Sequence, residues 1–357
     1  MKWMFVPGFA AGVAAALFLC RPTAGLEIWP QWWCPVSSIE SLQPLPEQRA
    51  AGVRFFVRPN ERSFWILKGD GRPLRQGTIA GGLAAFSGSG EFYVQYKKVG
   101  REVEFCNAAG ERFWKIDSME YPYLSRNARL VLLLNGDQTG IRIFDENGNA
   151  VGKPIAGRTC TVIAFADRGD MAAVGFLDGT YYFIGERGRI IGRGRAPEGM
   201  AVKGIAVSDG GAFGAVHMGS TDKDFLRVVD ITEGGSEEVA LDHVHYTRTA
   251  LHAGEDGFCY ALDVNRLIRV SSSGRVEGSI PLPPARPGHA AIRRSNGFVA
   301  LSYSDRNGAG RVFLFREGGE PVFTREYPTE SFLDAHLQSD LLFLRGSDNC
   351  YCYRVRR

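Results

Sequence analysis

A glycine-bearing turn that returns about every 40 residues constrains this chain more than any other feature. The turns end at Gly71, Gly110, Gly148, Gly188, Gly235, Gly274 and Gly319, separated by 39, 38, 40, 47, 39 and 45 residues. A short strand precedes each one, as in Phe64-Trp65-Ile66-Leu67, Ile141-Arg142-Ile143-Phe144 and Val312-Phe313-Leu314-Phe315. Where apolar and polar residues alternate, one side of the strand is set against a neighbouring sheet. A second hairpin lies ahead of each of these strands. Ile163-Ala164-Phe165-Ala166, for example, turns at Asp167-Arg168-Gly169-Asp170 into Ala172-Ala173-Val174-Gly175-Phe176. Beyond residue 25 no stretch has a helical period.

A repeat near 40 residues made only of strands predicts an all-β fold, a β-propeller of four-stranded blades. Residues 82–328 hold six complete units, and residues 53–79 and 332–355 each supply about three further strands. Six leftover strands are too many for one blade, so among seven or eight blades the count favours eight. The domain reading is 1–25 as a signal anchor or signal peptide, 26–52 as a Trp- and Pro-rich linker or closing strand, and 53–357 as the propeller.

The segment Glu104-Phe105-Cys106-Asn107-Ala108-Ala109-Gly110-Glu111-Arg112-Phe113-Trp114-Lys115-Ile116 resembles the repeat of the quinoprotein-like (PQQ-repeat-like) propellers. There a strand, a Gly turn and a Trp recur. Gly257 to Asp263 resembles the strand that begins the same motif, and Ile141 to Gly148 is similar to a WD40-type strand and turn. The resemblance implies a propeller and a tendency to bind proteins. It implies no quinone cofactor and no active-site residue.

The N-terminus differs from the rest. Trp3 to Cys20 carries no charge. As a helix, those 18 residues would reach about 27 Å, close to the hydrocarbon thickness of a bilayer. The expectation is a transmembrane or signal helix, retained as an anchor or cut near Thr23, Ala24 and Gly25. A third alternative makes Cys20 a lipid acceptor, although Leu19 before it is not small. These readings place the propeller on the periplasmic side of a bacterial-type inner membrane, or make it secreted or periplasmic after cleavage.

Charge and motifs exclude several classes. The net charge is +3, from 42 basic and 39 acidic side chains, so no electrostatic footprint for nucleic acid exists. No GxSxG elbow, Walker A loop, HExxH or EF-hand loop occurs. Seven cysteines occur without a CxxC pair; Cys350 and Cys352 share one face of one strand. Their expected role is that of small buried hydrophobes, with disulfides open outside the cytoplasm. His243 and His245, with His252 and Asp242 nearby, form the best metal candidate, against the plainer reading of two loop histidines. No cofactor or metal is assigned. Asp178, Asp222, Asp224, Asp305 and Asp348 recur at loop positions and read as turn chemistry.

Geometry favours one face for binding. Loops between second and third strands, and those between blades, emerge together, opposite the Gly turns. Both long intervals arise from insertions on that face, at 219–224 and 304–309. Tyr121, Tyr123, His243, His245, Tyr246, Arg286, His289 and Tyr327 lie in or beside its blade-to-blade loops. Tyr and Arg are common binding anchors, and loops are free to carry function. The expected function is a non-enzymatic protein-interaction scaffold, membrane-tethered, with a protein partner in an envelope assembly. The alternative is a ligand-sensing or hydrolytic propeller using the central pocket.

Overall fold

The computed structural model describes residues 27–39, 41, 53–80, 82–97, 99–317 and 319–356. Eight antiparallel sheets follow one another along the chain. Blade 1 has three described strands, Arg54–Val57, Ser63–Lys68 and Pro73–Thr78. Blades 2 to 7 begin at Gly82–Phe86, Tyr121–Leu124, Cys160–Phe165, Ala201–Val207, Leu251–Ala253 and Ala285–Ser295, with four strands each. Blade 8 takes Leu333–Gln338, Leu341–Gly346 and Asn349–Arg356 from the C-terminal end of the chain. Its outer strand, Glu27–Pro35, comes from the N-terminal end. The Trp- and Pro-rich segment thus closes the ring. This also explains why seven Gly turns accompany eight blades: in blade 8 the third and fourth strands are not consecutive in sequence, so no turn joins them.

The turns have a common physical basis. Gly71, Gly110, Gly148, Gly188, Gly274 and Gly319 each donate an N–H to the carbonyl three residues back and sit at positive φ. In blades 1, 2, 4, 6 and 7 the register shifts beside the turn. This is a type I turn closed by a bulge whose left-handed position favours glycine. Blade 5 departs from it. Gly234, not Gly235, takes the positive φ, and its N–H reaches Asp230 four residues back. The extra residue accounts for part of the long interval there. The described residues also contain one four-residue helix, Val36–Ile39, and a 3-10 turn at Glu186–Gly188, where the sequence showed no helical pattern. Both are too short to leave a period.

Burial follows from radial position. Second strands are covered on both faces by adjacent blades, and Leu130–Leu134, Ala172–Phe176 and Phe298–Asp305 are buried at every residue. Outer strands alternate with solvent, as in Arg112–Asp117 and Val276–Pro281. Eight apolar clusters fill the eight inter-blade interfaces. The last of these packs Phe55, Val57, Trp65 and Leu67 of blade 1 against Leu341, Phe343, Cys350 and Cys352 of blade 8. No described helix is long and apolar enough to cross a membrane, and the apolar run Trp3–Cys20 lies outside the described residues.

Candidate partner-binding face

One blade-to-blade connection is unlike the others. Residues 241–250 span ten positions between blades 5 and 6, whereas the other described links between blades are three to five residues long. A loop of that length needs internal contacts to hold a shape, and here a buried polar brace supplies them.

The brace begins on blade 5. Asp224, at the start of the third strand, is 1% exposed. Its Oδ1 accepts from Lys203 Nζ at 2.6 Å, and its Oδ2 from the His245 backbone N–H at 2.8 Å and from His217 Nε2 at 2.8 Å. His217 is 1% exposed, and burial holds its pKa below the usual histidine value against the pull of Asp224. The neutral ring donates from Nε2, so Nδ1 accepts the Thr249 hydroxyl at 2.5 Å. Burial alone would raise the Asp224 pKa, but bonds from His217, Lys203 and the His245 amide outweigh it and lower the value. The second half lies on blade 6. Asp263 is fully buried; its Oδ1 meets His243 Nδ1 at 3.2 Å and His245 Nε2 at 3.1 Å. Arg266 takes Oδ2 at 3.0 Å and also pairs with Asp242 at 2.7 Å. The His217 and His245 rings stand edge to face, 5.0 Å apart.

Carboxylate, imidazole and hydroxyl here stand in a chain that resembles a nucleophilic triad. Its imidazole is shut away from solvent, and Asp224 accepts from lysine and backbone as well, so the chain braces the loop. The histidines are likewise committed. His243 and His245 bond one carboxylate already held by Arg266, whereas His252 pairs with Asp167. Among the described residues no group of three His, Cys, Asp or Glu side chains is arranged to hold a metal.

The brace leaves the loop tip exposed. Tyr246 is 80% exposed, and Thr247 and Arg248 beside it are also exposed. The Arg248 charge is felt at Tyr123 of blade 3 and Cys160 of blade 4. Burial raises the pKa of Tyr123 and pushes the Cys160 thiol up to about 11, and the Arg248 charge opposes both shifts. Arg286 is exposed at the next blade junction, Tyr121 is half-buried, and the His289 side chain lies outside the described residues.

Two tyrosines leave the exposed set. Tyr123 packs into the cluster between blades 3 and 4. Tyr327 is 4% exposed, with its hydroxyl 2.8 Å from that of Tyr353. Alternation along their strands turns both rings into the blade interfaces. Asp178 and Asp305 do serve turns, taking backbone N–H groups of Thr180 and of Asn307 and Ala309. Asp224 departs from that pattern, because a basic and an imidazole partner are folded over it. Lys203, His217 and Thr249 gave no sequence signal, since each looks like an isolated polar residue in or beside a strand.

The opposite face is laced together. Its first-to-second strand turns bond around the ring: Ser89 to Arg126, Asn127 to Arg168 and Asp170, and Arg168 to Asp209. The chain continues from Gly210 to Glu255, Arg294 to Asp256, and Asn296 to Ser339. On the axis, Asp167 of blade 4 accepts the Arg294 backbone N–H of blade 7 at 3.1 Å and meets His252 Nδ1 of blade 6 at 3.3 Å. Arg126 of blade 3 lies 3.7 Å from Asp167 and donates to the Leu337 carbonyl of blade 8 at 3.2 Å. Burial raises the Asp167 pKa, but His252, Arg293 and Arg126 outweigh it and hold the carboxyl well below its usual range. The same balance lowers Asp334, where His336, Arg293 and Arg345 oppose burial. A shallow polar cavity of about 410 Å³, lined by Asn127, Arg129, Arg168, Asp170, Glu186 and Asp209 among others, is the space left beside these turns.

No protein-family model and no curated protein matches this sequence. Solved structures do. BamB from Moraxella catarrhalis is 14% identical, with 92% of this chain and 98% of that one covered and a TM-score of 0.58. The computationally designed protein Ika8 is 14% identical, covering 85% and 94%, with a TM-score of 0.59. A chain of the mitotic checkpoint complex is 13% identical, covering 88% and 97%, with a TM-score of 0.52. These likenesses show the fold alone, an eight-bladed β-propeller.

Proposed function

We propose that this propeller is a non-enzymatic protein-interaction scaffold that docks its partner on the face bearing loop 241–250. The observation that carries this reading is the pairing of a braced loop base with an exposed tip, where Tyr246 is 80% exposed above fully buried Asp263. A partner meeting a preorganised loop loses less conformational freedom than one that must order it. Tyr246, Arg248 and Arg286 supply the residue types that most often anchor interfaces. Membership of a chain with this fold in a checkpoint complex agrees with this use. The test places a photo-crosslinker at position 246 of the full-length protein and, as a control, at Asn147 on the opposite face. A discrete adduct at 246 alone, lost on Arg248→Ala, is expected. Equal adducts at both positions, or none at 246, would sink the reading.

In the finer form of the proposal, Trp3–Cys20 holds the propeller on the periplasmic side of a bacterial-type inner membrane, within an envelope assembly. Its support is the uncharged length of that run. The protein should then stay with membranes through a carbonate wash, and Ala14→Lys with Leu17→Lys should release it. Release of the unaltered chain by carbonate would remove the anchor.

A further inference from the structure

The chain runs continuously from strand to strand around the ring except inside blade 8, whose third and outer strands come from opposite ends of the sequence. At the seam, Glu27–Pro35 joins blade 8 only by pairing with Asn349–Arg356 and by packing. In that pairing Cys34 stands directly opposite Cys350. Directly opposed residues of antiparallel strands have Cα atoms about 4.5 to 5.5 Å apart, inside the span of about 4.4 to 6.8 Å that a disulfide bridges. The two side chains therefore leave the same face of the same sheet at bonding reach.

We propose that Cys34 and Cys350 are a disulfide site that locks the seam of the ring. Cys350 is fully buried, whereas Cys34 is half-buried and open to a reagent. Their thiols already interact. The Cys350 side chain lowers the Cys34 pKa against the effect of burial, and Cys34 together with burial raises that of Cys350. Cys34 is thus the entry nucleophile. Its thiolate attacks one sulfur of a small disulfide such as oxidised glutathione, expelling one glutathione thiolate. Cys350 then loses its proton and attacks the Cys34 sulfur, expelling the second glutathione. Two electrons pass to the glutathione disulfide, and two protons leave the cysteines. Cys352, two residues along the same strand, stands opposite Trp32, and its thiol points to the Gly69 carbonyl at 3.6 Å, so it is the natural control. A link between residues 34 and 350 closes nearly the whole chain into one loop, the case in which a crosslink constrains the unfolded state most.

The test holds the full-length protein in glutathione buffers of graded ratio, then traps thiols and maps peptides without reduction. The expected result is a linked peptide joining Cys34 to Cys350, with a thermal midpoint that rises on oxidation and falls back on reduction. C34S should lose both the link and the shift, whereas C352S should keep both. C34S changes the half-buried partner and so carries the test if C350S does not fold. Peptide mapping of the unaltered protein needs no variant. Thiols that stay free across the series, a Cys34–Cys352 link, a link between two chains, or a Cys34–Cys350 link without a change in midpoint would each overturn the proposal.

Discussion

The two faces of the ring use buried charge in opposite ways. On the face of the first-to-second strand turns, Asp167, Arg126 and His252 come from three different blades and meet on the axis, within a belt of bonds from turn to turn. Every partner there belongs to the ring, so the charges hold blades together. On the other face, Asp224, His217 and Asp263 come from two adjacent blades and converge beneath one loop. Those charges hold a shape outward, and Tyr246 stands at its tip. Where polar groups link distant blades they close a surface; where they link neighbours they leave the loop above free to meet something else.

Acid should have the largest effect on both regions. Asp167, Asp224, Asp263 and Asp334 all have lowered pKa values in the folded state. A depressed carboxyl contributes stability above its unfolded value of about 4 and loses it as pH falls further. His217 is also lowered, so the native state binds fewer protons than the unfolded chain below about pH 6.5. The sign is the same for all five groups. The thermal midpoint should fall from pH 7 to 5 and collapse below about pH 4, and a midpoint that rose on acidification would contradict the assignment.

Asp167→Asn comes next. It leaves Arg126 and His252 without their carboxylate in a closed site and should cost about 3 to 5 kcal/mol in urea unfolding. Because blades 3, 4, 6 and 7 meet there, amide exchange should quicken in all of them. Asp224→Asn should cost less, about 2 kcal/mol, because Lys203 retains the Ser220 carbonyl as a partner. Faster exchange should then be confined to 241–250, and a spread around the ring would erase the distinction between the regions. Tyr246→Ala should change stability by no more than about 0.5 kcal/mol while lowering the yield of partner adduct from a photo-crosslinker placed instead at the exposed Arg286.

The strands, the turns and the blade period were legible because each depends on neighbours in sequence. Gly110 and Gly274 mark their turns through a local backbone conformation that favours glycine. Alternation in Ile141-Arg142-Ile143-Phe144 records one sheet face. The candidate face was legible in part. Tyr246 and His245 stood out as residue types, but Tyr123 and Tyr327 stood out equally and turn inward. Whether a tyrosine at a strand end faces water or the next blade depends on the twist of two sheets, which no local pattern encodes.

The sequence by itself determined that this chain is a ring of four-stranded units and which residues turn each hairpin, because steric and hydrogen-bonding preferences act over a few residues. Only the tertiary structure decided that Glu27–Pro35 completes blade 8, that Asp167 gathers four blades on the axis, and that Lys203, His217 and Thr249 hold up a loop. Those contacts join positions tens to hundreds of residues apart, and buried charge acquires its meaning only from the partner that the fold brings to it.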